Sequence, residues 1–441
     1  NIPGRHMYVY VINRHGEPLM PCKPQKARVL LQNGKAAVVK RNPFTIKLIY
    51  GSSGYKQPVT LGMDAGSKYV GIAATTEKNV LYAEELSPRN DVVDLLSTRR
   101  ENRRTRRTRK TRYRQARFEN RVHSKPKGWI APSVEVKIQE HVSAITRITK
   151  ILPITKIRVE TAEFDMQRLK AMEEGKPLPV GTDYQLGEMY DEYNVRQYVL
   201  KRDNYTCQCC KKHKDGTKFH VHHIESRKTG GNAPDNLVTL CEECHKAIHD
   251  GTKKLQDRKR GNSFKDAAFM GIMRKTLVAR LREKYEPLGI HVQETYGYIT
   301  KFWRERYGLE KSHVNDAIVI TKNYAAKYDG GYYLSKAIRH HNRQIHKNAI
   351  LKGGIRKRNQ ASHTVKGFRM FDTVEYEDKE YFVFGRRTSG FMDIRTLDGT
   401  KVNKGSVSFK KIKYLSTNKG MLTERRMAIP PADKSAGFLA R

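Results

Sequence analysis

Apolar positions change their period along this chain, and the changes mark its elements. Residues 7–50 hold two strand-like runs, YVYVI and FTIKLIY, around the Pro-rich turn EPLMPCKP. From 59 to 86, VTLGMDAGSKYVGIAATTEKNVLYAEEL alternates apolar strands with short turns, which predicts three antiparallel strands over 59–64, 69–75 and 80–85. Asp64 closes the first of them. Val134, Ile138, Val142, Ile145 and Ile148 recur at helical spacing and predict an amphipathic helix over about 133–150. The strand KIRVET follows and carries Glu160. Further on, Phe269, Met273, Leu277 and Leu281 mark a long helix ending near Pro287, and IHVQETY (290–296) reads as a strand. Ser312 is placed to cap a helix that begins at His313. Residues 368–415 return to strands (TVEYED, YFVFGRR, FMDIRTLDG, VSFKKIKYL), with turns at Glu377-Asp378 and Asp398-Gly399. The tail after 416 reads as mostly irregular.

One stretch has no such pattern. From Arg99 to Arg121 there is no Gly or Pro, 12 of 23 residues are Arg or Lys, and only Tyr113, Ala116 and Phe118 are apolar. A helix here has no stripe to bury, so phosphates rather than protein packing are its expected source of stability. The candidate contacts are Arg99, Arg100, Arg103, Arg104, Arg106, Arg107, Arg109, Lys110, Arg112, Arg114, Arg117 and Arg121. A second basic segment, Arg339 to Lys366, carries the same expectation of RNA contact.

Charge extends this to the whole chain. There are 86 Lys and Arg against 45 Asp and Glu, a formal charge of +41. Such a surplus destabilises a compact protein unless a polyanion neutralises it. Nucleic acid is the expected partner, because each neutralised phosphate releases condensed counterions. A membrane surface is the bland rival, but no apolar run approaches the ~20 residues that span a bilayer. At 441 residues the chain is expected to hold about three domains. Met7 reads as the natural start, with residues 1–6 an expression remnant. The sequence after it lacks a signal-peptide layout, so a prokaryotic cytoplasm is expected.

Five of the six Cys lie between 207 and 244, which points to metal ligation rather than a disulfide framework. Cys207-x2-Cys210 and Cys241-x2-Cys244 are two knuckles that can present four thiolates tetrahedrally to a structural zinc, although Cys209 could replace a neighbour. Between them KFHVHHI alternates like a strand, so His222 and His223 point to opposite faces and cannot share one job. One can bind a metal while the other takes a proton. His245 and His249, at i and i+4, meet on one helix face, and Asn236 can hydrogen-bond and orient an imidazole.

A second constellation is split along the sequence. Asp64 lies between two apolar strands, Glu160 sits in an apolar strand where an unpaired carboxylate is costly, and His313 and Asp316 share a helix face at i and i+3. Three carboxylates and a His converging from separate segments can hold two Mg²⁺ ions, which activate the attacking water and stabilise the leaving oxygen in phosphodiester cleavage. Strands, helix, strand with acid, insertion, helix, strand and helix with acid follow the order of an RNase H-like fold.

The segment between Tyr205 and Asp250 resembles HNH endonucleases, of ββα-metal fold. That resemblance implies that His223 is the general base, that Asn236 orients it, and that His222 and His245 hold one divalent ion at the scissile phosphate. His249 matches a position that binds metal in some members only. Residues 7–415 as a whole resemble IscB, a family of transposon-encoded RNA-guided nucleases related to the ancestors of type II CRISPR effectors. The supporting stretches are EPLMP (17–21), LGMDAGSKYVGIA, the Arg-rich run, IRVETAEFD and HVNDAIVI, with the HNH segment between the last two.

This resemblance implies an α/β multidomain protein with a split RNase H-like (RuvC) core. The expected parts are a PLMP module (7–55), RuvC segment I (56–96), an Arg-rich bridge helix (97–125), RuvC segment II (126–185), the HNH insertion (186–258), RuvC segment III (259–335), a basic RNA-contacting segment (336–366) and a small C-terminal β domain (367–441) that reads a motif beside the target. It further implies a guide RNA (ωRNA), a double-stranded DNA target and a single protein copy in the ribonucleoprotein. HNH would cut the guide-paired strand and RuvC the displaced one, with catalytic Asp64, Glu160, His313 and Asp316. No large helical lobe is evident to cradle an RNA–DNA duplex, so RNA would supply much of the scaffold. Two other readings stay open. A protein-only HNH homing endonuclease leaves Asp64, Glu160 and Asp316 unexplained, and a non-cutting RNA chaperone leaves every catalytic candidate unexplained.

Overall fold

The strand that ends in Asp64 is an interior strand of a seven-stranded sheet. A computed structural model describes residues 8–51, 53–108, 128–161, 177, 195–213, 216–225, 234–255, 265–339 and 362–427. The chain divides into two compact units, Phe164–Ile272 and the remainder on either side of it.

In the larger unit, β1 (Tyr10–Ile12), β2 (Ala36–Lys40) and β3 (Thr45–Leu48) form a small sheet in the order β1-β3-β2. A helix, α1 (Pro24–Gln32), accompanies it, started by Pro24 and burying Ala27 in the module's core. The apolar pattern predicts only strands here, because nine residues with one buried position carry little periodicity.

The main sheet is built from β4 (Val59–Asp64), β5 (Val70–Thr75), β6 (Val80–Ser87), β7 (Ile154–Thr161), β10 (His291–Tyr296), β11 (Gly331–Ala337) and β17 (Met421–Met427), in the order β10-β7-β4-β5-β6-β11-β17. The predicted hairpin pair is present, with β4–β5 and β5–β6 antiparallel. β7 and β10 add in parallel on one side, and β11 adds in parallel on the other. The irregular tail expected after 416 is corrected by β17, which pairs antiparallel with β11 over its whole length. MLTERRM alternates poorly, and only its register against Gly331–Ala337 makes it a strand. Residues 421–427 thus join the main sheet rather than the C-terminal β module.

β5 is buried at all six positions, as a strand covered on both faces must be. Alternation along β6 puts Ala83 and Glu84 on opposite faces. Ala83 packs with Val314, Ala317 and Ile318 of α8 (His313–Ile320). Glu84, fully buried, meets Arg147 of α3 (Pro132–Thr149) at 2.8 Å and accepts a hydrogen bond from Tyr82. On α3, Ile138, Ile145 and Ile148 are wholly buried, each contributing roughly 1.5–3 kcal/mol. Two helices precede α8. They are α6 (Lys265–Tyr285), tied to α3 by an Arg280–Glu135 pair, and α7 (Gly297–Arg306).

α2 spans Val92–Thr108, so the Arg-rich helix begins seven residues before Arg99, on the segment VVDLL, where Val92 is buried. The expectation of a helix with no apolar anchor is corrected at that end, and Arg109 through Arg121 lie outside the described residues. Five further strands, β12 (Thr373–Tyr376), β13 (Lys379–Arg386), β14 (Phe391–Arg395), β15 (Val407–Ser408) and β16 (Lys413–Ser416), make a separate sheet in the order β15-β14-β13-β12-β16.

The unit Phe164–Ile272 contains α4 (Val195–Arg202), the hairpin of β8 (Phe219–His223) and β9 (Leu237–Cys241), and α5 (Glu242–His249). Two strands and a following helix are too few to bury a large core, and sulfur fills part of it. Cys207, Cys241 and Cys244 are buried together with Val238 and Leu240.

Candidate functional sites

In the larger unit the acids converge through backbone register. β4 and β7 are parallel, and Asp64 stands directly beside Glu160. α8 brings in the other two side chains, because two glycines let it lie close on the sheet. A Cβ at Gly71 would sit 1.8 Å from the His313 carbonyl oxygen, and one at Gly62 would sit 2.3 Å from that of Ala317. The cap predicted at Ser312 is present, its hydroxyl accepting from Asn315 N–H. His313 Nδ1 then lies 2.7 Å from Asp64 Oδ2, and the His313 ring stacks on Tyr69.

α7 supplies two partners that the sequence pattern does not reveal. Thr300 Oγ1 donates to Glu160 Oε2 at 2.5 Å, and Arg304 donates to Asp316 Oδ1 at 2.6 Å. Gly297 leaves room for the same Glu160 carboxylate, since a Cβ there would lie 3.1 Å from Oε1. The one signal for them is the spacing of 297, 300 and 304 along one helix face, which nothing in GYITKFWRER singles out.

The electrostatics fit a cation site. Burial, then the charges of Asp64 and Asp316, push the Glu160 carboxyl up to about 7, against the opposing effects of Thr300 and Arg304. Burial likewise raises Asp316 despite Arg304. The hydrogen bond to Asp64 raises His313. A divalent cation would relieve the raised Glu160 and Asp316 carboxylates, and with Asp64 beside Glu160 the three offer a hard-oxygen donor set.

In the inserted unit, two donor groups form. The ligand atoms of Cys207, Cys210, Cys241 and Cys244 all lie within 4.8 Å of one another, with Cys210 Sγ 3.7 Å from Cys241 Sγ. Cys210, not Cys209, completes the group. Burial and the neighbouring thiols push Cys244 up, the expected result of crowding sulfurs that a zinc ion would hold as thiolates.

The second group is His222, His245 and His249, also within 4.8 Å of one another. His222 comes from β8 and the other two from one face of α5, with ring centroids 4.6–5.4 Å apart. Burial, then the neighbouring imidazoles, lowers His222 and His245, which favours the neutral form that ligates metal. His249 therefore stands with the candidate ligands. His223 follows His222 on the strand, so alternation turns it to the other face. Asn236 is fully buried and pins the chain just beyond His223. Its Oδ1 accepts from Glu225 N–H, its Nδ2 donates to the Glu225 carbonyl, and its own carbonyl accepts from Ile224 N–H. By these bonds Asn236 fixes the strand end that carries His223.

Among the described residues no helix is long and apolar enough to cross a membrane.

Residues 9–187 match the family described as RRXRR protein, and residues 207–251 match the HNH endonuclease family. No curated protein matches the chain. Among solved structures, Streptococcus thermophilus Cas9 in complex with AGGA PAM is similar at 13% identity and TM-score 0.32, covering 61% of this chain and 33% of that one. T. thermophilus RuvC in complex with Holliday junction substrate gives 12% identity, TM-score 0.15, and coverage of 51% and 96%. The Type II-C Cas9 enzyme from Actinomyces naeslundii gives 14% identity, TM-score 0.17, and coverage of 68% and 51%. The chain thus spans about a third of the length of the Streptococcus Cas9 it matches. Its inserted unit carries an HNH endonuclease domain.

Proposed function

We propose that this protein is an RNA-guided DNA endonuclease of the IscB type, with an HNH site for the guide-paired strand and a RuvC-type site for the displaced strand. The observation that carries the reading is the presence of two unlike donor sets in one chain of charge +41. One is the Asp64, Glu160, Asp316 and His313 cluster of the larger unit, and the other is the three-histidine cluster of the inserted one. A protein-only homing endonuclease needs the second set and has no use for the first.

Divalent ions at each set would supply Lewis acidity toward the phosphate and a more acidic bound water. The chain's own residues do the rest. His223, next to His222 at the end of β8, would take the proton of the attacking water, while Asn236 holds its strand end in place. In the larger unit, His313 is hydrogen-bonded to Asp64 and raised by it, which suits a base or outer ligand. The four cysteines hold a structural zinc that substitutes for the core this small unit lacks. α2 and the basic residues that follow it bind the guide RNA, base pairing selects the target, and the five-stranded C-terminal sheet reads the adjacent motif.

The test is to purify the protein and treat it with ribonuclease before offering a matched DNA duplex with Mg²⁺. Copurifying RNA and cleavage that both ribonuclease and a chelator abolish are expected. Cleavage that survives ribonuclease favours the homing-endonuclease alternative.

A further inference from the structure

The role of Arg304 follows from its surroundings and rests on the proposed two-site nuclease. Its side chain is 11% exposed and that of Asp316 is 14% exposed, so the 2.6 Å pair is poorly screened by solvent. A single guanidinium nitrogen makes this bond, and the others have no hydrogen-bond partner among the described residues. The same charge reaches Glu160, where it opposes the effects of burial and of the neighbouring acids. Arg304 therefore places a positive charge among carboxylates that would otherwise repel one another. α7 holds it there, since Thr300, one turn earlier, is fixed on Glu160.

We propose that Arg304 is a stand-in cation. It occupies Asp316 in the metal-free protein, must leave when divalent ions load, and then binds a non-bridging oxygen of the scissile phosphate. Ion and guanidinium compete for one carboxylate, so loading is coupled to release of the arginine. The planar fork, with donors to spare, is the geometry that grips phosphate in two places. This one residue would thus link metal binding to substrate binding without a separate regulatory site.

Mn²⁺ binding to the full-length protein, counted by electron paramagnetic resonance, tests this beside strand-resolved cleavage. Asp64→Ala identifies the relevant ions as the class it removes. If it removes none, the carboxylates bind no metal and both the split-site reading and this inference fail. If it removes a class, Arg304→Gln should tighten Mn²⁺ binding in that class at least about fivefold, the upper end for a solvent-exposed ion pair. It should also slow displaced-strand cutting at saturating metal by about a hundredfold, as removal of a charge-stabilising donor does. Arg304→Lys keeps the charge and should retain the parent's weaker Mn²⁺ affinity. Arg306→Gln makes the same charge change two residues away, on an exposed side chain stacked over Trp303, and should alter neither readout. Unchanged or weaker Mn²⁺ binding in Arg304→Gln, or an equal gain in Arg306→Gln, overturns the competition. Tighter binding with undiminished cutting overturns the phosphate contact.

Discussion

Glu160 is the residue on which the energetics of the split site turn. In the metal-free protein its carboxyl is pushed up to about 7, above the ordinary value of 4.5 that an unfolded chain would have. The folded state therefore binds the proton more tightly. Its stabilising contribution is complete below about 4.5 and is lost as pH rises through about 7. Glu160→Gln abolishes that loss. With metal chelated, the variant should melt higher than the parent at pH 8 and no higher at pH 5, by roughly 1–2 °C for each kcal/mol regained in a unit of this size. Equal melting at both pH values would show that Glu160 is not held in an unfavourable ionised state. The acids themselves are legible in the sequence, because a carboxylate in an apolar strand is conspicuous. Thr300 and Arg304 are not, since a Thr and an Arg on an exposed-looking helix are ordinary until Glu160 and Asp316 are found against them.

At the scale of elements, strong periodicity reads through to the structure and weak patterning does not. β4, β5, β6 and α3 follow from alternation and helical spacing. β17 is held by a partner far away in sequence, and α1 and α7 each bury a single residue, so local pattern carries little of their signal. The inserted unit shows a different dependence. Its hairpin and helix have a small core in which the four-cysteine group takes a central place. Replacing Cys207 and Cys210 together with Ser should remove about one zinc per chain by elemental analysis and unfold this unit locally. Cutting by its histidines should cease while the larger unit's melting transition persists. Full zinc content in the double variant would contradict the ligand assignment.

For the molecule as a whole, charge is the dominant fact. A surplus of +41 is far more than two catalytic sites require, and a polyanion such as the proposed guide RNA would absorb it. The Arg-rich run is the sharpest sequence signal for this. Changing Arg103, Arg106, Arg107 and Arg114 together to Ala should weaken RNA binding and flatten its salt dependence, by roughly 0.7–0.9 in log–log slope for each phosphate no longer neutralised. An unchanged slope would make the run a solvated tail. The inserted unit's cysteines and histidines stand out in the sequence through their spacing, whereas Asp64, Glu160 and Asp316 are brought together only by the register of β4 with β7 and the close seat of α8. The division of labour between the sites is the central claim, and strand-resolved cleavage of one matched duplex by the ribonucleoprotein tests it most directly. His223→Ala should cut only the displaced strand and Asp64→Ala only the guide-paired strand, with target binding intact in both. If either substitution abolishes cutting of both strands equally, the two sites do not act separately and the account is wrong.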